Sequence, residues 1–193
     1  MKTGIKALTI ALLACGFTCP AVAEWKMNSD DSVLHFLSTK NVQITEVHKF
    51  EDISGALSDS GKLSVSVDLA SVNTNIDIRN ERMRSMLFHV EKYATAQFEA
   101  TLPKSMMALE VGDVVRSKVD GVLSLHGKAV PTAFSVQISK VSENTLSVST
   151  TAPTLIKADA FDLAKGIAAL QNIAGLKSIT TTVPVTFSVT FTN

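Results

Sequence analysis

Apolar and polar residues alternate with a period of two along most of the chain. Leu63, Val65, Val67 and Leu69 alternate with Ser64, Ser66 and Asp68, and Phe134, Val136 and Ile138 alternate with Ser135, Gln137 and Ser139. Leu146 and Val148 alternate with serines. The clearest run is the last, where Val183, Val185, Phe187, Val189 and Phe191 alternate with Thr182, Pro184, Thr186, Ser188 and Thr190. This period marks strands with one face buried. Weaker strands are expected at Val33–Thr39, Val42–Val47, Ile53–Leu57, Ala96–Leu102 and Gly121–His126. Asp59-Ser60-Gly61 reads as a hairpin turn, because glycine tolerates the positive φ such turns need. Eight or nine short strands with compact connections predict an all-β, antiparallel barrel or sandwich.

Two stretches break the alternation. Arg79–Phe88 predicts a short helix with charge on one side. Asp159–Leu176 predicts a second, capped by Asp159 and ended by Gly175, with Phe161, Ala164, Ile167, Ala168 and Leu170 at helical spacing. A helix in a long connection can close a barrel mouth or plug its interior.

The N-terminus carries Lys2 and Lys6, then an apolar run from Ala7 to Phe17, then Ala21-Val22-Ala23 after Pro20. This is the layout of a cleavable secretory signal, and the run is too short to remain as a membrane span. Residues 1–23 are read as the signal peptide and 24–193 as one domain. Leu12-Leu13-Ala14-Cys15 supplies a competing lipoprotein reading, with Cys15 acylated. Both cysteines, Cys15 and Cys19, fall in the signal, so the mature chain carries neither thiol nor disulfide. Of 18 basic residues two leave with the signal, against 18 acidic residues that stay. That balance gives no basic surface of the kind nucleic acid requires.

Candidate chemistry is sparse. His35, His48, His89 and His126 have no metal-ligand spacing among them. No Gly-x-Ser-x-Gly elbow is present, and the neighbours Glu51-Asp52 and Asp30-Asp31 point to opposite faces of a strand. The expectation is therefore no enzyme, no catalytic residue and no metal site. Arg79 and Arg82, three apart on a helix, share a face and could meet a pyrophosphate or quinone carbonyl; the alternative is a solvated face pairing with Glu81. Phe98, Phe134, Val136, Phe187 and Val189 occupy the apolar strand faces. They line a tunnel if one exists and form a core if it does not, and Phe161 and Ile167 stand in the same relation to a plug or gate.

Three runs between residues 68 and 98 stand out: Asp68-Leu69-Ala70-Ser71-Val72-Asn73-Thr74-Asn75, Arg79-Asn80-Glu81-Arg82-Met83-Arg84-Ser85-Met86-Leu87-Phe88, and Tyr93-Ala94-Thr95-Ala96-Gln97-Phe98. In these runs the chain resembles the YceI-like family of bacterial lipocalin-like proteins. Ser54-Gly55, Gly121-x-Leu123-x-Leu125-x-Gly127 with Pro131, and Val183-Pro184-Val185-x-Phe187 extend it over residues 25–193. Asn80, Arg82, Leu87 and Ala94 depart from the family pattern.

The resemblance implies an eight-stranded antiparallel lipocalin-like barrel in the periplasm. It would enclose an apolar tunnel for a long isoprenoid lipid or quinone, with no other cofactor. Burying roughly 20 methylene equivalents at about 0.8 kcal/mol each yields about 16 kcal/mol gross. A micromolar to nanomolar complex needs about 8 to 12 kcal/mol, so few polar contacts are required. The rivals are a ligand-free stress-response or protein-interaction module and a transmembrane β-barrel. Against the latter stand one Trp, one Tyr and strands shorter than the roughly 9 to 11 residues a span takes; no stable membrane insertion is expected. A homodimer through a strand edge or the Asp159–Leu176 segment stays open.

Overall fold

The computed structural model describes residues 24–193, and the signal peptide expected at residues 1–23, with Cys15 and Cys19, lies outside the described residues. The strands are β1 (Glu24–Lys40), β2 (Ile44–Phe50), β3 (Ile53–Ser58), β4 (Lys62–Asp68), β5 (Val72–Asn73), β6 (Thr95–Thr101), β7 (Val114–Leu125), β8 (Lys128–Ser142), β9 (Thr145–Thr150), β10 (Thr154–Lys157) and β11 (Thr182–Thr192). The helices are α1 (Asp77–Arg82), α2 (Lys104–Met107) and α3 (Ala164–Ile173). Strands β11, β1, β3, β4, β6, β7, β8 and β9 pair in that order, and β9 pairs with β11 to close an eight-stranded antiparallel barrel. Closure removes the two edges that these eight strands would carry as an open sheet, while β5 and β10 form edges outside the ring.

The remaining strands extend the wall at one end. β1 pairs with β3 at Glu24–Lys26 and with β2 at Leu34–Lys40. β5 adds to β2, and β10 pairs with the first half of β11. Between Asn28 and Val33 the register of β1 against β11 shifts, where Ser29-Asp30-Asp31-Ser32 bulges outward. Ser32 Oγ donates to Asn28 O at 2.6 Å and accepts from Thr190 N at 3.1 Å, bridging the bulge.

Inward side chains form two connected apolar clusters. One, toward the β3–β4 turn, holds Trp25, Leu57, Phe98, Phe134, Val189 and Phe191. The other lies under the helices and holds Phe36, Leu69, Val72, Leu87, Phe88 and Phe161. α1 runs into a wider π-helical turn, Met83–Phe88, that buries Met83 and the neighbours Leu87 and Phe88. α3 crosses this turn at Gly166, where a Cβ would lie 2.9 Å from Leu87 Cα.

The structure revises several boundaries expected from the sequence. Asp159 does not cap a continuous helix. A 3-10 turn spans Ala158–Phe161, Asp162 then takes a left-handed conformation (φ +56°), and α3 starts only at Ala164 without a side-chain cap. Gly175 does terminate it, at φ +62°. Val42 belongs to the β1–β2 turn rather than to a strand, because Ser178 O and Oγ accept from Asn41 N and Val42 N and hold both residues at positive φ. His126 also leaves its expected strand: His126 and Gly127 both have positive φ between the last pair Leu125–Lys128, the backbone that type I′ turns require. Strands β1, β7, β8 and β11 run 17, 12, 15 and 11 residues, so strand length does not separate this barrel from a membrane-spanning one. Its outward positions do carry Arg116, Lys118 and Asp120 on β7 and Ser135 and Gln137 on β8, where a lipid-facing wall is apolar. Among the described residues no helix is long and apolar enough to cross a membrane.

Candidate functional site

The closed wall surrounds a cavity of about 250 Å³ that reaches from the helical lid to Met27, Met106 and Phe191 near the opposite end. Its lining is carbon, with Gln97 as the one polar residue on it. Gln97 is exposed and alternates with inward Ala96 and Phe98, so its side chain leaves through the wall. Among the lining residues Ala96 leaves space that a larger side chain would fill; it shares the inward face of the wall with Phe98 and Val65.

Phe98, Phe134, Val136, Phe187, Val189 and Ile167 all line this cavity. Phe134 stands edge-on to Phe98 at 5.0 Å and to Phe187 at 5.5 Å, so three rings from three strands form one aromatic side of the wall. Phe161 is 2 % exposed and packs in the lid cluster behind the lining. Sequence reasoning did not single out Met83, Leu87 and Phe88, which project from the lid into the cavity.

Arg79 and Arg82 do not line it. Arg79 Nε donates to Thr74 Oγ1 at 2.8 Å, Nη2 to Thr74 O at 2.6 Å and Nη1 to Glu46 Oε2 at 3.0 Å. Lys40 Nζ reaches the same Glu46 oxygen at 2.7 Å. Asn80, 7 % exposed, accepts from Thr74 N at 2.8 Å and from Thr74 Oγ1 at 2.6 Å. These bonds tie α1 to β2 and β5 and fix the lid. The Lys40 hydrogen bond, with Arg79 beside it, lowers the Glu46 carboxyl below the usual carboxylate range.

Beneath that ion cluster, His48 is 4 % exposed, its ring 5.2 Å from Phe36 and its Nε2 2.9 Å from Ser38 Oγ. Burial, reinforced by Arg79 and Lys40 and opposed by Glu46, pushes this imidazole below its ordinary value, so it is neutral at pH 7. Its Nδ1 is buried and has no hydrogen-bond partner among the described residues. Among the described residues no group of three or more His, Cys, Asp or Glu is arranged to hold a metal ion.

A closed eight-stranded antiparallel barrel around one apolar cavity is a lipocalin-like architecture. The YceI-like domain family matches residues 25–191, and the chain belongs to that family. A solved polyisoprenoid binding domain from Saccharophagus degradans superposes with a TM-score of 0.84 at 34% identity, covering 89% of this chain and 98% of that one. Burkholderia cenocepacia BcnA superposes at 0.65 with 19% identity, over 85% of this chain and 98% of that one. The Campylobacter jejuni YCEI protein superposes at 0.51 with 20% identity, over 77% and 88%. The last two share the fold. No curated protein sequence matches the chain.

Proposed function

We propose that the protein is a carrier or reservoir for a long apolar lipid of the polyisoprenoid or isoprenoid-quinone class, exported to the periplasm by residues 1–23, and not an enzyme. One observation carries the reading: a cavity of about 250 Å³ with a carbon lining inside a closed barrel. Water is not a stable occupant, because an ordered buried water needs two to four polar partners. Left empty, the space would cost on the order of 6 kcal/mol at about 24 cal/mol per Å³. That is a large share of the roughly 5–15 kcal/mol by which domains are stable. A hydrocarbon occupant removes this cost and adds its own transfer energy.

The 34%-identical polyisoprenoid binding domain supports the ligand class. Phe98, Phe134, Val136, Phe187, Val189 and Ile167 are proposed to contact the tail, with Phe161 backing the lid and Arg79 acting as a strut. Arg82, at the lid surface, is left without a ligand role. Mass spectrometry of an organic extract, from protein purified without detergent out of its native compartment, tests the reading. A stoichiometric long-chain lipid is expected. Folded protein that holds none and takes up no added quinone or prenyl lipid would instead be an interaction module.

A further inference from the structure

The barrel wall is interrupted beside β1. The β1–β3 ladder stops at Lys26–Ala56 and the β1–β2 ladder starts only at Leu34–Phe50, so residues 27 to 33 have no strand partner on that side among the described residues. A surface groove of about 430 Å³ lies at the near edge of this gap, lined by Lys26, Met27, Ser54, Gly55, Ala56, Ser64 and Ser66. Met27 lines both this groove and the interior cavity. With the paired strands β3 and β4, whose Ile53, Leu57, Leu63, Val65 and Val67 line the cavity, its side chain stands between the two.

Gly55 makes the separation thin. It faces inward opposite Val65, and a Cβ placed there would lie 3.0 Å from Met27 Cε, so the methionine tip occupies the space Gly55 leaves. A thioether chain with three rotatable bonds adapts to irregular space more readily than a branched residue. The outer side of the groove is chemically different from the cavity. Ser54, Ser64, Ser66 and Lys26 supply three hydroxyls and an ammonium, and none of these groups makes a side-chain hydrogen bond or ion pair among the described residues.

We infer that this groove seats the oxygen-bearing headgroup of the lipid, a quinone carbonyl or a prenyl phosphate, while the tail passes Met27 into the cavity. The inference rests on the carrier reading. Donors on the rim and carbon behind it match an amphiphile with its polar end outward. At the helical lid, by contrast, Arg79 Nε, Nη1 and Nη2 each already donate, to Thr74 and Glu46.

Residues 24–193 contain no cysteine, so a single introduced thiol is a unique reporter. Ser64→Cys reports on the groove, Ser85→Cys on the lid and Ser105→Cys on α2, and each is alkylated with a maleimide before and after loading with ubiquinone-10 or undecaprenyl phosphate. Thiol reactivity follows access, and loading is expected to slow alkylation at Ser64→Cys about tenfold while the other two change less than about twofold. Protection at the lid or at α2 without the groove, equal protection at all three, or bound lipid with no protection would overturn the inference and leave the carrier reading standing. Failure to take up either lipid overturns both. Lys26→Gln separates the headgroups: it is expected to weaken prenyl phosphate at least about tenfold, the scale of a hydrogen bond to a charged group, and to leave the quinone within about twofold.

Discussion

The ring of Phe98 occupies the space that a side chain on Gly121 would need: a Cβ there would fall 2.5 Å from Phe98 Cζ and 2.4 Å from Glu99 O. The two residues belong to paired strands, with Phe98 opposite Leu123 and Ala100 opposite Gly121. The absent side chain therefore sets the position of the ring that meets Phe134 edge-on. Gly121→Ala is expected to displace Phe98 and strain β6, destabilising the barrel by about 1–3 kcal/mol, the usual cost of overpacking. Urea unfolding checks this, and a midpoint equal to the wild type's would show that the ring moves freely.

The Lys40–Glu46–Arg79 cluster predicts a pH signature. The folded state holds the Glu46 carboxyl below the usual carboxylate range, chiefly through Lys40. Its contribution is therefore full above the unfolded-state value and disappears as pH falls through the lower folded value. Wild type should be more stable than Glu46→Gln at pH 7, and the gap should close in the acid range. Thermal unfolding of both proteins across pH 3 to 7 measures it, on the roughly 1.36 kcal/mol per unit scale of such linkage.

His48 acts in the same direction at higher pH. Burial holds the folded imidazole below its ordinary value, whereas the unfolded chain takes up the proton near about pH 6.5. Unfolding is thus favoured as pH falls through that unfolded value and on down to the folded one, and stability is fully present only above it. The loss between pH 7.5 and 5.5 should be smaller in His48→Phe, which keeps the ring against Phe36 and cannot protonate. A proton NMR titration of the wild type should find the His48 ring still neutral at the midpoint of the unfolded chain.

How much of this was legible in the residues varies with how each strand spends its inward positions. β11 alternates without interruption and was read nearly to its ends, and Phe98, Phe134, Val136, Phe187 and Val189 followed from period two alone. The first half of β7 was missed because Ser117 stands opposite buried Val136 and breaks the apolar run. β10 was missed because Thr154–Lys157 is four residues long and gains its place only by pairing with β11. The cavity itself was not legible. Its volume depends on Ala96, which does not fill it, and on a lid whose side chains come from segments far apart in sequence. The Arg79 spacing was visible, but that its donors turn back onto Thr74 and Glu46 depends on β2 and β5 lying beneath it.

Gly166 supplies a case where local propensity and packing oppose each other. In a helix interior alanine is favoured over glycine by about 1 kcal/mol, so Gly166→Ala in isolation would strengthen α3. Here the added Cβ would meet Leu87 Cα and Met86 O, both at 2.9 Å. Those are backbone atoms of the π-helical turn and cannot rotate away. Net destabilisation is expected, together with faster hydrogen exchange in α3 and Met83–Phe88 than in β7 and β8. A more stable variant with an unchanged lid would mean that the helix slides across the turn at little cost.

Filling the cavity separates ligand binding from fold stability. Ala96 lines it and is only partly buried, on β6 two residues from Phe98. A ring placed there enters space that is otherwise vacant or occupied by lipid. Ala96→Phe is expected to keep or raise the unfolding midpoint of the lipid-free protein, because it removes part of a void that costs about 24 cal/mol per Å³. The same change should cut the lipid recovered per protein at least about tenfold, since each displaced methylene forfeits about 0.8 kcal/mol and two suffice for that factor. Extraction and mass spectrometry on the purified variant, paired with thermal unfolding, read both quantities from one preparation. Stable protein with undiminished lipid would place the tail elsewhere on the molecule. A drop in both together would mean that the ring overpacks the wall, and the smaller Ala96→Val would then carry the comparison.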